Sequence, residues 1–294
     1  QQAIVREAVP AFALVDDGTA APLPLPYFVK PVKSFFSAGA VAIRADKDRP
    51  LIERADLPSS FFDPFTALLR TYSPHNPPPG NTIAESLLSG AQVTLEGFAY
   101  RGDAEVLGVV DSVMFPNTIA FRRFEYPSRL PDTVQDRMRV LAVRLMRGLG
   151  YAHGLFNVEM MYDHERDAIS IIEVNPRMSS QFADLFEKVD GMNTYQILLD
   201  LGLGREPRVR RRAGRHAASA SCVFRTFEDA WVASVPGIDD VAQVLDRFPD
   251  ARVEVLAEKQ RWLSEQMQDT CSYRYGIVNL GGRDQRDIAG QFRK

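Results

Sequence analysis

Four polar residues near the middle of the chain stand in an unusually apolar setting. Residues 169–177 read I-S-I-I-E-V-N-P-R, and residues 156–163 read F-N-V-E-M-M-Y-D. Both stretches have strand composition. Because residues i, i+2 and i+4 of a strand share a face, Glu173, Asn175 and Arg177 point the same way. The connecting D-H-E-R-D-A is polar and turn-like, and a hairpin centred on Arg166 sets Glu159 opposite Glu173, since each lies seven residues from it. Like charges facing each other across a sheet destabilise it. A divalent cation resolves the conflict: two carboxylates and the amide oxygen of Asn175 are hard ligands that suit Mg²⁺, with Mn²⁺ as a substitute, in a shell shared with water and phosphate oxygens. The competing reading is a surface hairpin with solvated acids, and the four residues together make it the weaker one.

Several elements are needed to hold such a hairpin. The periodicity of 132–148 predicts an amphipathic helix with Val134, Met138, Leu141 and Leu145 on one face, stopped by glycines at 148 and 150 just before the hairpin. Residues 98–124 read as a hairpin turning at R-G-D-A and a following strand. T-I-A-E-S-L-L-S-G-A-Q-V-T-L-E-G-F, 82–98, reads as one strand. Further upstream, Y-F-V-K-P-V-K-S-F-F-S-A-G-A-V-A-I-R is a hairpin whose tip, 34–39, offers backbone N–H groups to phosphates. P-L-P-L-P at 22–26 is a stiff connection. The helix at 61–72 uses Phe61, Phe62 and Phe65 as core, and S-P-H-N-P-P-P-G at 73–80 is an extended lobe boundary.

The ordered set V-K-P, E-S-L-L-S-G, V-E-M and E-V-N-P-R resembles the ATP-grasp superfamily, closest to its carboxylate–amine ligase and biotin carboxylase branches. The likeness is strong over 20–205 and weak beyond. It implies an α+β ATP-grasp fold, two lobes whose antiparallel sheets sandwich ATP, with a small C-terminal α+β subdomain. The boundaries it implies are 1–25 as a linker remnant from a separate N-terminal α/β domain, 26–84 as the N-terminal lobe, 85–205 as the C-terminal lobe with the metal site, and 206–294 as the subdomain. No lysine occurs among the first 29 residues, so the family's lysine at the first junction is expected upstream.

Carried over residue by residue, the resemblance implies Lys30 as the α/β-phosphate ligand, with Lys33 added by proximity, and Lys30 and Arg177 as the catalytic pair. Glu85, Leu87 and Leu88 fall at the adenine positions. Gln92 replaces the usual ribose-binding glutamate, and its amide can still bond a hydroxyl. Glu96 closes that motif on the substrate side. Glu159, Glu173 and Asn175 hold Mg²⁺. The loop at 34–39 departs from the glycine-rich family version, with two phenylalanines and one glycine. Arg122, Arg123 and Arg129 are candidates by their chemistry to clamp a carboxylate or γ-phosphate, with surface arginines flanking a sheet as the stronger reading for any one of them, and the resemblance implies Ser179, Ser180 and Gln181 on the acceptor side. His153 reads as structural. The implied activity is ATP-dependent conversion of a carboxylate to an acyl phosphate and its transfer to an amine, with amino-acid or peptide-like substrates. Biotin carboxylase-like carboxylation and a non-catalytic ATP-binding regulatory module remain alternatives.

The rest of the sequence bounds the setting. With 294 residues, 45% hydrophobic and 25% charged, the chain has ample core for two or three lobes. A net charge of −3 gives no field for nucleic acid. Cys222 and Cys271 suggest neither a disulfide framework nor a zinc site, and no run reaches a membrane span. The expected partners are ATP and small molecules, without nucleic acid or membrane, in the cytoplasm, and a homodimer is compatible. The run 205–215 carries six arginines and reads as a solvated linker, with anion binding as the alternative.

Overall fold

The computed structural model describes residues 1–15, 23–32, 34, 38–54, 57–73, 81–266 and 272–292. Lys33, positions 35–37 of the expected phosphate loop, 74–80 of the proline-rich loop and Cys271 lie outside the described residues. Contacts divide the chain into two compact units, a smaller one built on Pro10–Leu88 and a larger one made of Gln1–Val9, Ser89–Met267 and Ser272–Lys294.

The smaller unit contains β1 (Phe12–Val15), β2 (Tyr27–Pro31), β3 (Val41–Ile43), α1 (Pro50–Arg54), α2 (Asp63–Tyr72) and β4 (Thr82–Ser86). Its described strands form an antiparallel sheet in the order β1-β4-β2-β3. Strict alternation on β2 buries Tyr27 and Val29 with Ile43 and Ala84. That alternation leaves Lys30 on the opposite side of the strand from Tyr27 and Val29.

The larger unit carries β5 (Ala91–Tyr100), β6 (Asp103–Met114), β7 (Phe121–Tyr126), α3 (Asp132–Gly148), β8 (Gly154–Asp163), β9 (Ala168–Asn175), α4 (Ala183–Asp190), α5 (Thr194–Gly202), β10 (Ala218–Thr226), α6 (Ile238–Arg247), β11 (Arg252–Val255), β12 (Tyr273–Gly282) and α7 (Gln285–Phe292). Its described strands form one antiparallel sheet, β11-β12-β10-β7-β6-β5-β8-β9. The strands of residues 206–294 continue this sheet through the β10–β7 pairing, Ser219 opposite Tyr126 and Ser221 opposite Phe124.

Helix α3 covers one face. Its Val134, Met138, Ala142 and Leu145 pack on Val93, Leu95, Phe156, Val158, Met160 and Ile171. Helices α4 and α5 cover part of the other, with Leu185, Phe186, Val189 and Ile197 against Phe98, Val110, Phe124 and Tyr126. Each such side chain removed from water contributes about 1.5–3 kcal/mol, so α3 is the main brace behind β5 and β8. His153 is satisfied structurally, its Nε2 2.9 Å from the Leu201 carbonyl oxygen. Half of the arginine run is structural too: Arg211 bonds Glu105 and the carbonyls of Val106 and Leu107, the Arg212 amide donates to Asp190, and Arg215 pairs with Asp250. No helix among the described residues is long and apolar enough to cross a membrane.

The stretch expected as one strand over 82–98 is two strands, β4 and β5, in different sheets. Gly90 is the reason. Its φ is +125°, and a Cβ there would lie 2.0 Å from the Tyr162 carbonyl oxygen, so only glycine passes the end of β8 at this point. Gly90→Ala is therefore expected to cost about 3 kcal/mol, combining backbone strain with a backbone clash, and to lower the Tm by roughly 5–10 °C. A Tm within 1 °C of the parent in a melting experiment would show that the backbone adjusts without cost.

Candidate metal centre

The hairpin β8–β9 places Glu159 directly opposite Glu173, Val158 opposite Val174 and Asn157 opposite Asn175. The pairing is the expected one, but the route to it differs. Near the turn the register is Asp163 with Ala168 and Met160 with Ile171, so a regular ladder would set Glu159 against Ile172. A bulge at Ile172 absorbs the extra residue and shifts the phase of the strand. Ile169 and Ile171 before it, and Val174 after it, all reach the α3 side. Glu173 and Asn175 reach the opposite side with Glu159.

Strand β5 extends these pairs into two rungs, Thr94–Glu159–Glu173 and Glu96–Asn157–Asn175. Gln92 shares the face of Thr94 and Glu96, and its Nε2 donates to Glu159 Oε2 at 3.0 Å. Asn175 Nδ2 donates to Glu173 Oε1 at 2.9 Å and to Asn157 Oδ1 at 3.0 Å. Asn157 Nδ2 donates to the Arg177 carbonyl at 3.2 Å, and the Ser179 amide donates to Glu96 Oε1 at 2.9 Å. The exposed Arg177 guanidinium bonds the Met178 carbonyl, and its Nη2 lies 3.5 Å from Asn175 Oδ1. Two of these side chains are fully enclosed, Glu96 at 0% and Asn157 at 3% exposure. Asn157 went unmarked in the sequence. Its signal was the alternation itself, two residues before Glu159 on the same strand.

The facing carboxylates set up an electrostatic conflict at the centre. Burial first, and then the facing Glu173 carboxylate, push the Glu159 carboxyl up to about 8, against the weaker pull of Arg177 and Gln92. Burial also raises Glu96 well above the ordinary carboxyl range, opposed by the Ser179 amide and Arg177. Among the described residues no three His, Cys, Asp or Glu side chains gather into a metal cluster. The donor set is instead two carboxylates and an amide, with guanidinium donors beside it. Those hard oxygens, and a carboxylate pair that resists double ionisation, fit a Mg²⁺-class ion that completes its shell with water and phosphate oxygens.

The other expected residues fall as follows. Lys30 and Glu85, both in the smaller unit, form an ion pair at 2.6 Å, and Leu87 and Leu88 follow β4 with partial burial. Arg123 and Arg129 do not stand with the carboxylate pair. Thr94 bonds Ser112, which pairs with Phe124, so Arg123, one residue along, occupies the other face. There Arg123 and Arg129 neutralise the buried Glu125, and Arg129 also reaches Asp111. Arg122 lies over the Phe115 ring. Gln181 donates to Ser221 Oγ at 2.9 Å.

Residues 125–208, which include the β8–β9 hairpin, match the family model of the carbamoyl-phosphate synthase L chain ATP binding domain. A D-alanine–D-alanine ligase of Acidiphilium cryptum is 29% identical over 154 residues, 52% of this chain and 46% of that protein. The chain thus spans about half the length of the curated relatives it matches. Among solved structures, an L-amino acid ligase from Bacillus licheniformis superposes with a TM-score of 0.70 at 14% identity, covering 99% of this chain and 68% of that one. The biotin carboxylase domain of Hydrogenobacter thermophilus 2-oxoglutarate carboxylase, in complex with MgADP, ADP and bicarbonate, gives 0.61 at 14%, covering 98% and 62%. The chain has the ATP-grasp fold. The proteins it resembles include amino-acid ligases as well as a biotin carboxylase.

Proposed function

We propose that this chain is the ATP-binding part of a ligase that converts a carboxylate to an acyl phosphate and transfers the acyl group to an amine. The observation that carries the reading is Glu159 facing Glu173, flanked by Asn175 and Arg177 on one sheet face. Glu159, Glu173 and Asn175 Oδ1 would hold a divalent cation, which when bound neutralises phosphate charge. The exposed guanidinium of Arg177 offers donors to the transferring phosphoryl oxygens, a task of positioning and electrostatics. Lys30 is assigned to the α/β-phosphates. Leu87 and Leu88 are assigned to the base, with Glu85 beside them. Gln92 commits its amide N–H to Glu159, so its Oε1 is the atom offered to a ribose hydroxyl. Likeness to D-alanine–D-alanine ligase and L-amino acid ligase favours amino acids or dipeptide-like molecules as the substrate class.

Two measurements test this. Mg²⁺–ADP at 100 times its Kd should stabilise a binder by about 2.7 kcal/mol over Mg²⁺ alone, which is several degrees in Tm. ADP release should then require both a carboxylate and an amine. Release that is indifferent to either, or no nucleotide-dependent shift, would sink the ligase reading.

A further inference from the structure

The two ends of a side-chain amide have nearly the same shape and opposite electrostatics. An oxygen turned toward a cation attracts it, and an NH₂ group repels it. The value of Asn175 to the centre therefore depends on what fixes its orientation. Resting on the metal reading above, we infer that Asn157 is the positioning residue that sets the polarity of the Asn175 amide.

The chain of constraint starts at a group with no freedom. The Arg177 backbone carbonyl can only accept, so Asn157, 3.2 Å away, must present its Nδ2. Asn157 then has only its Oδ1 to offer the other way, and that oxygen accepts from Asn175 Nδ2 at 3.0 Å. The second hydrogen of Asn175 Nδ2 goes to Glu173 Oε1 at 2.9 Å. With both its hydrogens used, the amide turns Oδ1 outward, toward the Arg177 guanidinium. Glu173 contributes to this orientation, but it is itself a candidate ligand and would direct lone pairs to the cation. Asn157 would not. It is 3% exposed, too enclosed for water to take its place. Its cross-strand neighbour Glu96 pins the Ser179 amide, so both ends of the N-P-R turn are tied to one buried rung. Outer partners of metal ligands characteristically act in this way.

The test compares two replacements isosteric with each other, Asn157→Val and Asn157→Thr, by titrating Mn²⁺ in the presence of ADP and following the free-ion EPR signal. The threonine hydroxyl can donate to the Arg177 carbonyl and accept from Asn175, whereas valine can do neither. Asn157→Val should weaken Mn²⁺ binding by about 10–100-fold, and Asn157→Thr should recover most of that loss. ADP affinity measured in EDTA should stay within about twofold for both. In an Asn175→Ala background Asn157→Val should have no further effect, because its action passes through that amide; a cycle isolates such coupling. If Asn157→Val does not fold, Asn157→Leu takes its place. Mn²⁺ affinity unchanged by the substitution, or an effect that simply adds to that of Asn175→Ala, overturns the inference. A wild type that binds no Mn²⁺ overturns instead the metal reading beneath it, and this inference with it.

Discussion

Glu173→Gln is expected to lower ADP release by about a hundred- to a thousandfold, the usual loss when one preorganised electrostatic contact to a transferring group is removed, and to abolish the extra Tm shift that Mg²⁺ adds to ADP. Above about pH 8, where both carboxylates are ionised, the same substitution should raise the Tm of the ligand-free chain by about 1–3 °C. It removes a like charge directly opposite Glu159, a conflict worth a few tenths to 1 kcal/mol across a sheet. Opposite signs for activity and stability are what distinguish a site kept for function from a fold-stabilising contact. Glu165, exposed in the turn of the same hairpin, supplies the control: Glu165→Gln should change neither quantity. Near-parental turnover in Glu173→Gln, or a fall in ligand-free stability, would end the metal assignment.

How far the centre was legible in the sequence depends on the scale of the signal. The carboxylate pair could be read because charged residues inside β-branched strands are conspicuous and the turn length nearly fixes the register. The bulge could not. Strict alternation would group Ile171 with Glu173, and only the pull of Ile169, Ile171 and Val174 toward α3 makes the strand change phase at Ile172. The split of 82–98 had a visible cue in Gly90, hidden by continuous apolar patterning on both sides. Guanidinium chemistry makes Arg123 and Arg129 candidates for an anion clamp as readily as for an ion pair, and the deciding partner is Glu125, two residues from Arg123 and buried. The pairing of β10 with β7 joins residues more than ninety positions apart, and no local pattern encodes it.

The dependence of cation binding on pH follows from the same facing carboxylates. In the folded chain the Glu159 carboxyl is pushed up to about 8 by burial and by Glu173, against an ordinary value of 4.5. Between these two values the folded state holds a proton that the unfolded chain has released. Ligand-free stability is therefore fully favoured at the acid end and falls as pH rises from about 4.5 toward about 8. A cation needs both carboxylates ionised, so binding must expel that proton. Mn²⁺ or Mg²⁺ affinity should then climb by up to about tenfold per pH unit from pH 6 to 8 and level off above 8. Below the plateau, binding should release close to one proton per ion, measurable by calorimetry in buffers of different ionisation enthalpy. Glu173→Gln removes one charge of the pair, so whatever weak binding survives should lose most of this slope. A flat affinity across pH 6–8 in the parent chain would mean that Glu159 is already ionised, and that the opposed carboxylates are screened by something other than a bound cation.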